Sequence, residues 1–282
     1  MRSGSAGLTS PSNPRVKAVV RLRDRSERER TGQTIVDGAR EVGRAIAGGA
    51  ELVEAFVCES LATGEEARAT LDAVAAVGSG WTPVNEAVFE KLAFGSRSDG
   101  IVAVVRPRHW SLADLVLPPD PLLAVVEAVE KPGNLGAIVR SADGADLDAV
   151  IAADAATDAY NPNAIRASLG TIFALPVVEV PTREVLAWLR ERGLRIVAAR
   201  VDATTDYADA DLTGPVAIVL GSETGGLTGH WSGADSQAVR LPMLGSGDSL
   251  NVSAAAAVLF YEAVRQRRAA RRRPLSPPEG AP

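Results

Sequence analysis

Residues 241–262 read L-P-M-L-G-S-G-D-S-L-N-V-S-A-A-A-A-V-L-F-Y-E and join a short apolar run to a Gly/Ser-rich loop and then to a helix. Apolar side chains at helical spacing predict that this helix buries one face. They belong to Val252, Ala255, Ala256, Leu259 and Ala263. Ser249 or Asp248 is placed to cap the helix. Because backbone N–H groups at a helix start lack partners, the stretch predicts a ligand cradle, while an ordinary capped helix is the alternative.

Length and composition limit the class of protein. A chain of 282 residues predicts two domains. Cys58 is the single cysteine, and His109 and His230 are the two histidines. This composition excludes a disulfide framework and a Cys/His zinc site, so we expect no metal. The N-terminus lacks a hydrophobic signal region and no apolar run is long enough to span a bilayer, so we expect a cytoplasmic protein without membrane contact.

Charge is unevenly distributed along the chain. The net charge is -5, yet residues 13–30 hold seven basic and three acidic side chains, and residues 265–273 hold six arginines and no acid. This uneven charge favours a polyanionic partner such as a nucleic acid, because a basic surface can attract and orient a polyanion. The alternative is a solvated helix face followed by a frayed tail.

The first half alternates helices with short strands, which predicts a small α/β domain over residues 1–106. We expect helices from about 14 and over 39–47, 65–77 and 86–92, and strands at 34–36, 52–57, 81–84 and 101–106. The first helix carries a basic stripe of Lys17, Arg21, Arg25 and Arg28 at spacings of three and four residues.

The second half predicts a doubly wound α/β domain over residues 122–267, after a proline-rich linker at 107–121. Its strands are nearly continuous apolar runs, which suit a parallel sheet buried on both faces. They span 122–129, 147–153, 176–180, 194–201 and 215–220. Ligands of such sheets bind at the carboxyl ends of the strands. From residue 268 to 282 the Arg- and Pro-rich tail is predicted to be unstructured.

Two further glycine-containing loops follow predicted strands. Residues 130–144 read E-K-P-G-N-L-G-A-I-V-R-S-A-D-G, and residues 221–227 read G-S-E-T-G-G-L. Each is a weak signal alone, and neither has the spacing of a dinucleotide or P-loop motif. Residues 247–250 spell G-D-S-L, the string of a family of serine esterases, but that chemistry needs a downstream histidine and none follows His230.

Taken together and in order, three stretches closely resemble the motifs of SpoU/TrmH-type RNA ribose 2′-O-methyltransferases of the SPOUT superfamily. They are G-N-L-G-A-I-V-R-S-A-D, L-G-S-E-T-G-G-L and L-P-M-x-G-x-x-x-S-L-N-V-S. The first half resembles the substrate-binding domain of that family in S-N-P-R-V-K, T-I-V-D-G-A-R-E-V-G-R-A-I and S-D-G-I-V-A-V-V. The resemblance covers residues 10–267. The chain departs from the pattern at Asp146, where similar proteins usually carry glycine.

The resemblance implies a trefoil-knotted parallel-sheet catalytic domain, preceded by a small α/β RNA substrate-binding domain. It also implies a homodimer and S-adenosylmethionine bound in the knot loops. The residues matching the cofactor positions are Ala199, Gly221, Leu241, Met243 and Leu250. The residues matching the polar active-site positions are Asn134, Arg140, Glu223, Asn251 and Ser253.

The expected activity is methylation of a ribose 2′-hydroxyl, with Arg140 binding a phosphate and stabilising alkoxide charge, because arginine stays protonated. Its neighbours Ile138 and Val139 favour a position packed on the sheet. Ribosomal RNA is the favoured substrate, and transfer RNA is the alternative. A catalytically silent RNA-binding protein and a hydrolase are the competing classes. We expect Lys17, Arg21, Arg25, Arg28 and Arg166 to contact the RNA backbone.

Overall fold

The computed structural model of the chain describes residues 7–94 and 99–272, and its first half is built on a four-stranded sheet. The strands are β1 (Thr34–Asp37), β2 (Glu51–Val57), β3 (Trp81–Pro83) and β4 (Ile101–Arg106), in the order β1-β4-β2-β3. Strand β4 is antiparallel to both neighbours, and β3 is parallel to β2. The predicted strands are therefore confirmed.

Five helices accompany this sheet in the described part of the first half. They are α1 (Pro14–Arg21), α2 (Arg25–Thr31), α3 (Ala39–Ala47), α4 (Glu65–Ala76) and α5 (Glu86–Leu92). The single basic helix expected from residue 14 is thus two helices. The break follows from Leu22, which is buried, and from Arg23, whose guanidinium donates to three carbonyls at the end of α5, each at 3.0 Å.

The second half contains a six-stranded sheet in which every strand is parallel to its neighbours. Its strands are β5 (Leu122–Glu127), β6 (Ala149–Ala153), β7 (Val177–Val180), β8 (Arg195–Ala199), β9 (Val216–Leu220) and β10 (Ser236–Val239). The spatial order is β10-β8-β9-β5-β6-β7. Because the strands are parallel, the loops that follow them meet along one edge.

Four helices cover this sheet among the described residues: α6 (Pro132–Gly144), α7 (Pro162–Ala167), α8 (Thr182–Glu191) and α9 (Val252–Arg272). Helix α9 packs on α6. Its Val252, Ala256, Leu259 and Ala263 are buried and Ala255 is half-buried, which confirms the predicted face. Within residues 7–94 and 99–272 we find no helix with the length and apolarity needed to cross a membrane.

The ends of α9 differ from the sequence-based expectation. Residues 241–251 form neither helix nor strand, and Asn251 caps α9, because its Oδ1 accepts the Ser253 N–H at 2.9 Å. The prediction of a cap at Ser249 or Asp248 is therefore wrong. The helix also continues through residues 268–272, which we expected to be unstructured, and the remainder of the expected tail, 273–282, lies outside the described residues.

A buried ion pair and several hydrogen bonds join the two halves. Arg28 on α2 is 6% exposed and bonds Asp158 at 2.6 Å. The Thr34 hydroxyl donates to the Tyr160 carbonyl at 2.8 Å. One apolar core continues from β4 and α3 into α6 and β5. The first half is therefore held firmly against the second.

Candidate active site

A cleft of about 820 Å³ lies at the carboxyl edge of the second sheet. Four segments line it: residues 199–202 at the end of β8, 220–227 at the end of β9, 239–244 with 248–250 at the end of β10, and the first turn of α9. All the residues predicted to contact a cofactor lie on its wall, namely Ala199, Gly221, Leu241, Met243 and Leu250. The loops after β8, β9 and β10 thus converge on one cavity.

The loop after β9 is a tight turn that requires glycine. A Cβ at Gly221 would overlap the carbonyl of Gly226 and the backbone nitrogen of Leu227. Gly226 has a φ of +63°, and its N–H donates to the Ser222 carbonyl at 3.0 Å. Because backbone packs against backbone here, the turn presents peptide groups to a ligand without intervening side chains.

A polar cluster at the rim of the cleft brings together residues from all three motifs. Asn134 at the start of α6 donates its amide to Glu223 Oε1. The Asn251 amide also points to Glu223 Oε1, at 3.3 Å, and to Asn134 Oδ1 at 3.4 Å. The Ser253 hydroxyl donates to Asn251 Oδ1 at 2.6 Å. Residues 89 to 117 positions apart in sequence are therefore in hydrogen-bond contact.

Arg140 lies outside this cluster. It is exposed on α6, while its neighbours Ile138 and Val139 are buried, so the expectation that Arg140 packs on the sheet is wrong. Among the residues that the structure describes, its guanidinium has no hydrogen-bond or ion-pair partner. The group is consequently free to bind an external anion.

Comparisons with known proteins identify the family of the chain. Residues 121–261 match the model of the SpoU rRNA Methylase family, and residues 13–103 match that of the MRM3-like substrate binding domain. A 23S rRNA (uridine(2479)-2′-O)-methyltransferase of Streptomyces viridochromogenes is 33% identical over 252 residues, with 87% of each chain covered. The chain belongs to the SpoU rRNA methylase family.

Solved structures agree with this SpoU assignment over both halves. A crystal structure of an RNA 2′-O ribose methyltransferase superposes with a TM-score of 0.82 at 40% identity, and covers 93% of this chain and 99% of its own. The SpoU methyltransferase AviRb of Streptomyces viridochromogenes, in complex with AdoMet, gives 0.81 at 30% identity and covers 90% and 98%. The parallel-sheet domain with an N-terminal substrate-binding domain is thus shared by these SpoU proteins.

Two charged residues in the cleft of this SpoU methylase were not predicted as site residues from the sequence. Arg200 bonds both carboxylate oxygens of Asp202, at 2.9 and 3.0 Å, and donates to the Ser232 hydroxyl at 2.9 Å. The hydrogen bond from the guanidinium holds the pKa of Asp202 below its ordinary value. Their place directly after β8 was the available signal, because ligand loops follow strand ends in such sheets.

The residues predicted to contact RNA differ in their exposure in this SpoU chain. Lys17, Arg21 and Arg25 are exposed, although Arg25 also donates to the Ala156 carbonyl at 2.8 Å. Arg28 is buried against Asp158, so its place in the basic stripe is wrong. Arg166 is half-buried and donates to the Phe94 carbonyl, so it joins the two halves instead of lying on a free surface.

The esterase alternative has no geometric support. Within the described residues, no histidine is hydrogen-bonded to Ser249, and His230 Nδ1 is instead bonded to the Thr228 hydroxyl at 2.9 Å. The same residues contain no group of three or more His, Cys, Asp or Glu side chains that could hold a metal ion.

Proposed function

We propose that this chain transfers a methyl group from S-adenosylmethionine to the 2′-hydroxyl of a ribose in ribosomal RNA. The convergence of Asn134, Glu223 and Asn251 at the rim of a glycine-lined cleft carries the proposal. Relatives named as 23S rRNA 2′-O-methyltransferases and the AdoMet-bound structure of AviRb support the same substrate and cofactor.

The cleft suits this cofactor on two counts. The turn at Gly221 leaves peptide groups bare, and Leu241, Met243 and Leu250 supply apolar surface beside them, which fits a flat base and a ribose. We assign the adenosyl group to these residues and to Ala199. When bound, S-adenosylmethionine supplies a methyl group carried by a sulfonium. Alignment of the ribose oxygen with that methyl is then the main task of the protein.

The polar cluster is suited to orient the ribose. Because the Ser253 hydroxyl donates its hydrogen to Asn251, its oxygen lone pairs remain available to accept a hydrogen bond from the ribose 2′-hydroxyl. Glu223 accepts from both asparagine amides and so fixes their orientation. Arg140 binds the neighbouring phosphate and stabilises the developing alkoxide, and the proton passes to water or to that phosphate.

Single-turnover methylation tests the role of Arg140. We expect Arg140→Ala to slow methylation of 23S rRNA from cells that lack this protein by about 10²- to 10³-fold, the usual loss for one charge-stabilising donor. Arg140→Lys retains the charge but not the planar fork, so part of the rate returns. The exposed Arg68→Ala is the matched control and keeps the wild-type rate. Unchanged rates in both Arg140 variants would remove Arg140 from the mechanism.

Two measurements separate this function from its competitors. Mapping 2′-O-methyl groups in RNA from cells with and without the protein identifies the substrate, and a lost methyl group in transfer RNA instead of ribosomal RNA would favour the alternative substrate. Calorimetry with S-adenosylmethionine distinguishes an enzyme from a silent RNA-binding protein, since only the enzyme needs the cofactor.

We propose Lys17, Arg21 and Arg25 as contacts to the RNA backbone. Lys17 carries an exposed charge with no partner among the described residues, and the ion pair of Arg21 with Glu27 is loose at 3.7 Å. Phosphate contacts of this kind give affinity a strong dependence on salt. Charge reversal at Lys17 and Arg21 is expected to weaken rRNA binding and flatten its salt dependence, and no change in either quantity would refute the assignment.

We also propose a cytoplasmic homodimer in which the second sheet carries a trefoil knot. The dimer is supported by apolar side chains left exposed in the cleft loop and on α9, where Leu244 is 99%, Val258 37% and Tyr261 52% exposed. In sedimentation at micromolar concentration we expect the wild-type protein to be a dimer and the Val258→Glu variant to be a monomer. A monomeric wild-type protein would contradict the proposal.

The location and the knot have their own tests. Cell fractionation tests the cytoplasmic location, and a crystallographic chain trace without a threaded loop would disprove the knot.

A further inference from the structure

A buried carboxylate at the end of β5 has no place in the chemistry described above. Glu127, the last residue of β5, is 2% exposed. Its hydrogen-bond partners among the described residues are neutral donors. Oε2 accepts the Thr228 N–H at 2.8 Å, and Oε1 accepts the hydroxyls of Thr228 at 2.7 Å and of Thr182 at 3.2 Å. A buried carboxylate held in this way forms strong, directional bonds.

The position of Thr228 gives these bonds a consequence for the cleft. Thr228 directly follows the 221–227 loop, which contains Gly221 and Glu223 and lines the cleft. Strand β5, in turn, leads through residues 128–131 into α6, which carries Asn134 near its start. Glu127 therefore connects the end of the 221–227 loop to the strand that precedes Asn134. Thr182 instead begins α8 and belongs to neither loop.

We propose that Glu127 is a positioning residue that holds the 221–227 loop in its cofactor-binding shape through Thr228. The loop contains three glycines, and an untethered glycine loop loses conformational freedom when a ligand binds it. With Thr228 fixed to buried Glu127, much of that ordering is complete before binding. This inference rests on the proposed function, because it takes S-adenosylmethionine as the ligand of the cleft.

Three variants of the full-length protein test the inference by calorimetry with S-adenosylmethionine. Thr228→Val removes the hydroxyl bond to Glu127 but keeps the shape and the backbone bond, and we expect the dissociation constant to rise about five- to tenfold. Thr182→Val removes a bond to the same carboxylate oxygen from α8. His230→Ala removes the second partner of the Thr228 hydroxyl. Both controls are expected to stay within about twofold of wild type.

Amide hydrogen exchange over residues 221–228 provides the second readout, since loosening of the loop is expected in Thr228→Val and in neither control. Equal losses of cofactor affinity in Thr228→Val and Thr182→Val would reduce Glu127 to a purely structural role. An equal loss in His230→Ala would transfer the role to His230. An unchanged dissociation constant in Thr228→Val would overturn the inference, whereas a wild-type protein that binds no S-adenosylmethionine would overturn the proposed function itself.

Discussion

At the scale of single residues, Gly221 is the position at which the cleft tolerates no side chain. The backbone of Gly226 and Leu227 occupies the space that a Cβ at this position would need. Gly225 lies in the same turn, but a Cβ there would meet only the Ser222 hydroxyl at 3.5 Å, an ordinary contact. The two glycines therefore form a matched pair for mutation.

We expect Gly221→Ala to weaken S-adenosylmethionine binding by more than about tenfold, because the turn must open to accept the methyl group. Gly225→Ala is expected to bind the cofactor within about twofold of wild type. Calorimetric titration of both variants measures the difference. Similar affinities for the two would show that the shape of this turn does not control binding.

Asp146 shows how a departure from a family pattern is accommodated. Its φ is +58°, in the left-handed region that favours glycine. Asp tolerates this region better than most side chains do. The end of α6 closes normally, since the Leu147 N–H donates to the Ala142 carbonyl at 3.0 Å. The chain therefore keeps the helix end without the usual glycine.

At the scale of elements, the crossing of α6 and α7 depends on Gly136. A Cβ at Gly136 would overlap the Ala164 carbonyl oxygen on α7, so the helices approach with backbone in contact. Gly133 lies one turn earlier in α6, and nothing is within 4 Å of its Cβ position. Since α6 also carries Asn134, this crossing sets the position of part of the polar cluster.

The expected cost of Gly136→Ala is about 1–3 kcal/mol in the free energy of unfolding, the usual penalty for forcing a methyl group into packed backbone. Gly133→Ala is expected to be neutral or slightly stabilising, because alanine favours a helix. Urea denaturation of the two variants checks this. A Gly136→Ala protein as stable as wild type would mean that α7 can move away at no cost.

Periodicity predicted most elements because apolar spacing is a local property. The runs that became β5 to β9 and the buried face of α9 follow from sequence directly. The convergence of Asn134, Glu223 and Asn251 required the family resemblance, since spacing alone does not bring distant loops together. The burial of Arg28 was not predictable, because its partner Asp158 lies 130 residues away.

At the scale of the whole molecule, Asp37 lies where the two halves meet. It ends β1, is 6% exposed, and accepts the Phe94 N–H at 2.9 Å. Burial raises the pKa of Asp37 to about 6, although this hydrogen bond and the charge of Arg166 act in the opposite direction. At neutral pH the folded protein thus holds an ionised carboxylate in a poorly solvated place.

The sign of the pH effect follows from that shift. Since the folded-state pKa lies above the unfolded one, ionisation of Asp37 lowers stability as pH rises from about 4 to about 6. We expect Asp37→Asn to raise the free energy of unfolding at pH 7 by up to about 3 kcal/mol and to have little effect near pH 3.5.

Denaturation across this pH range measures the effect, with the exposed Asp72→Asn as control for the loss of a charge. A variant less stable than wild type at pH 7 would mean that Arg166 stabilises the ionised form more than burial penalises it.

The cleft is lined by the ends of β8, β9 and β10 and by the first turn of α9. Its walls are therefore translated after every strand of the first sheet, and the last of them, Val252 and Ala255, belong to α9. On the ribosome, a nascent polypeptide completes the strands of its first sheet before it can enclose a cofactor, because the cleft needs residues as far as Ala255. A message truncated before codon 252 would yield a product without the final wall of the cleft, and we expect that product to bind no S-adenosylmethionine.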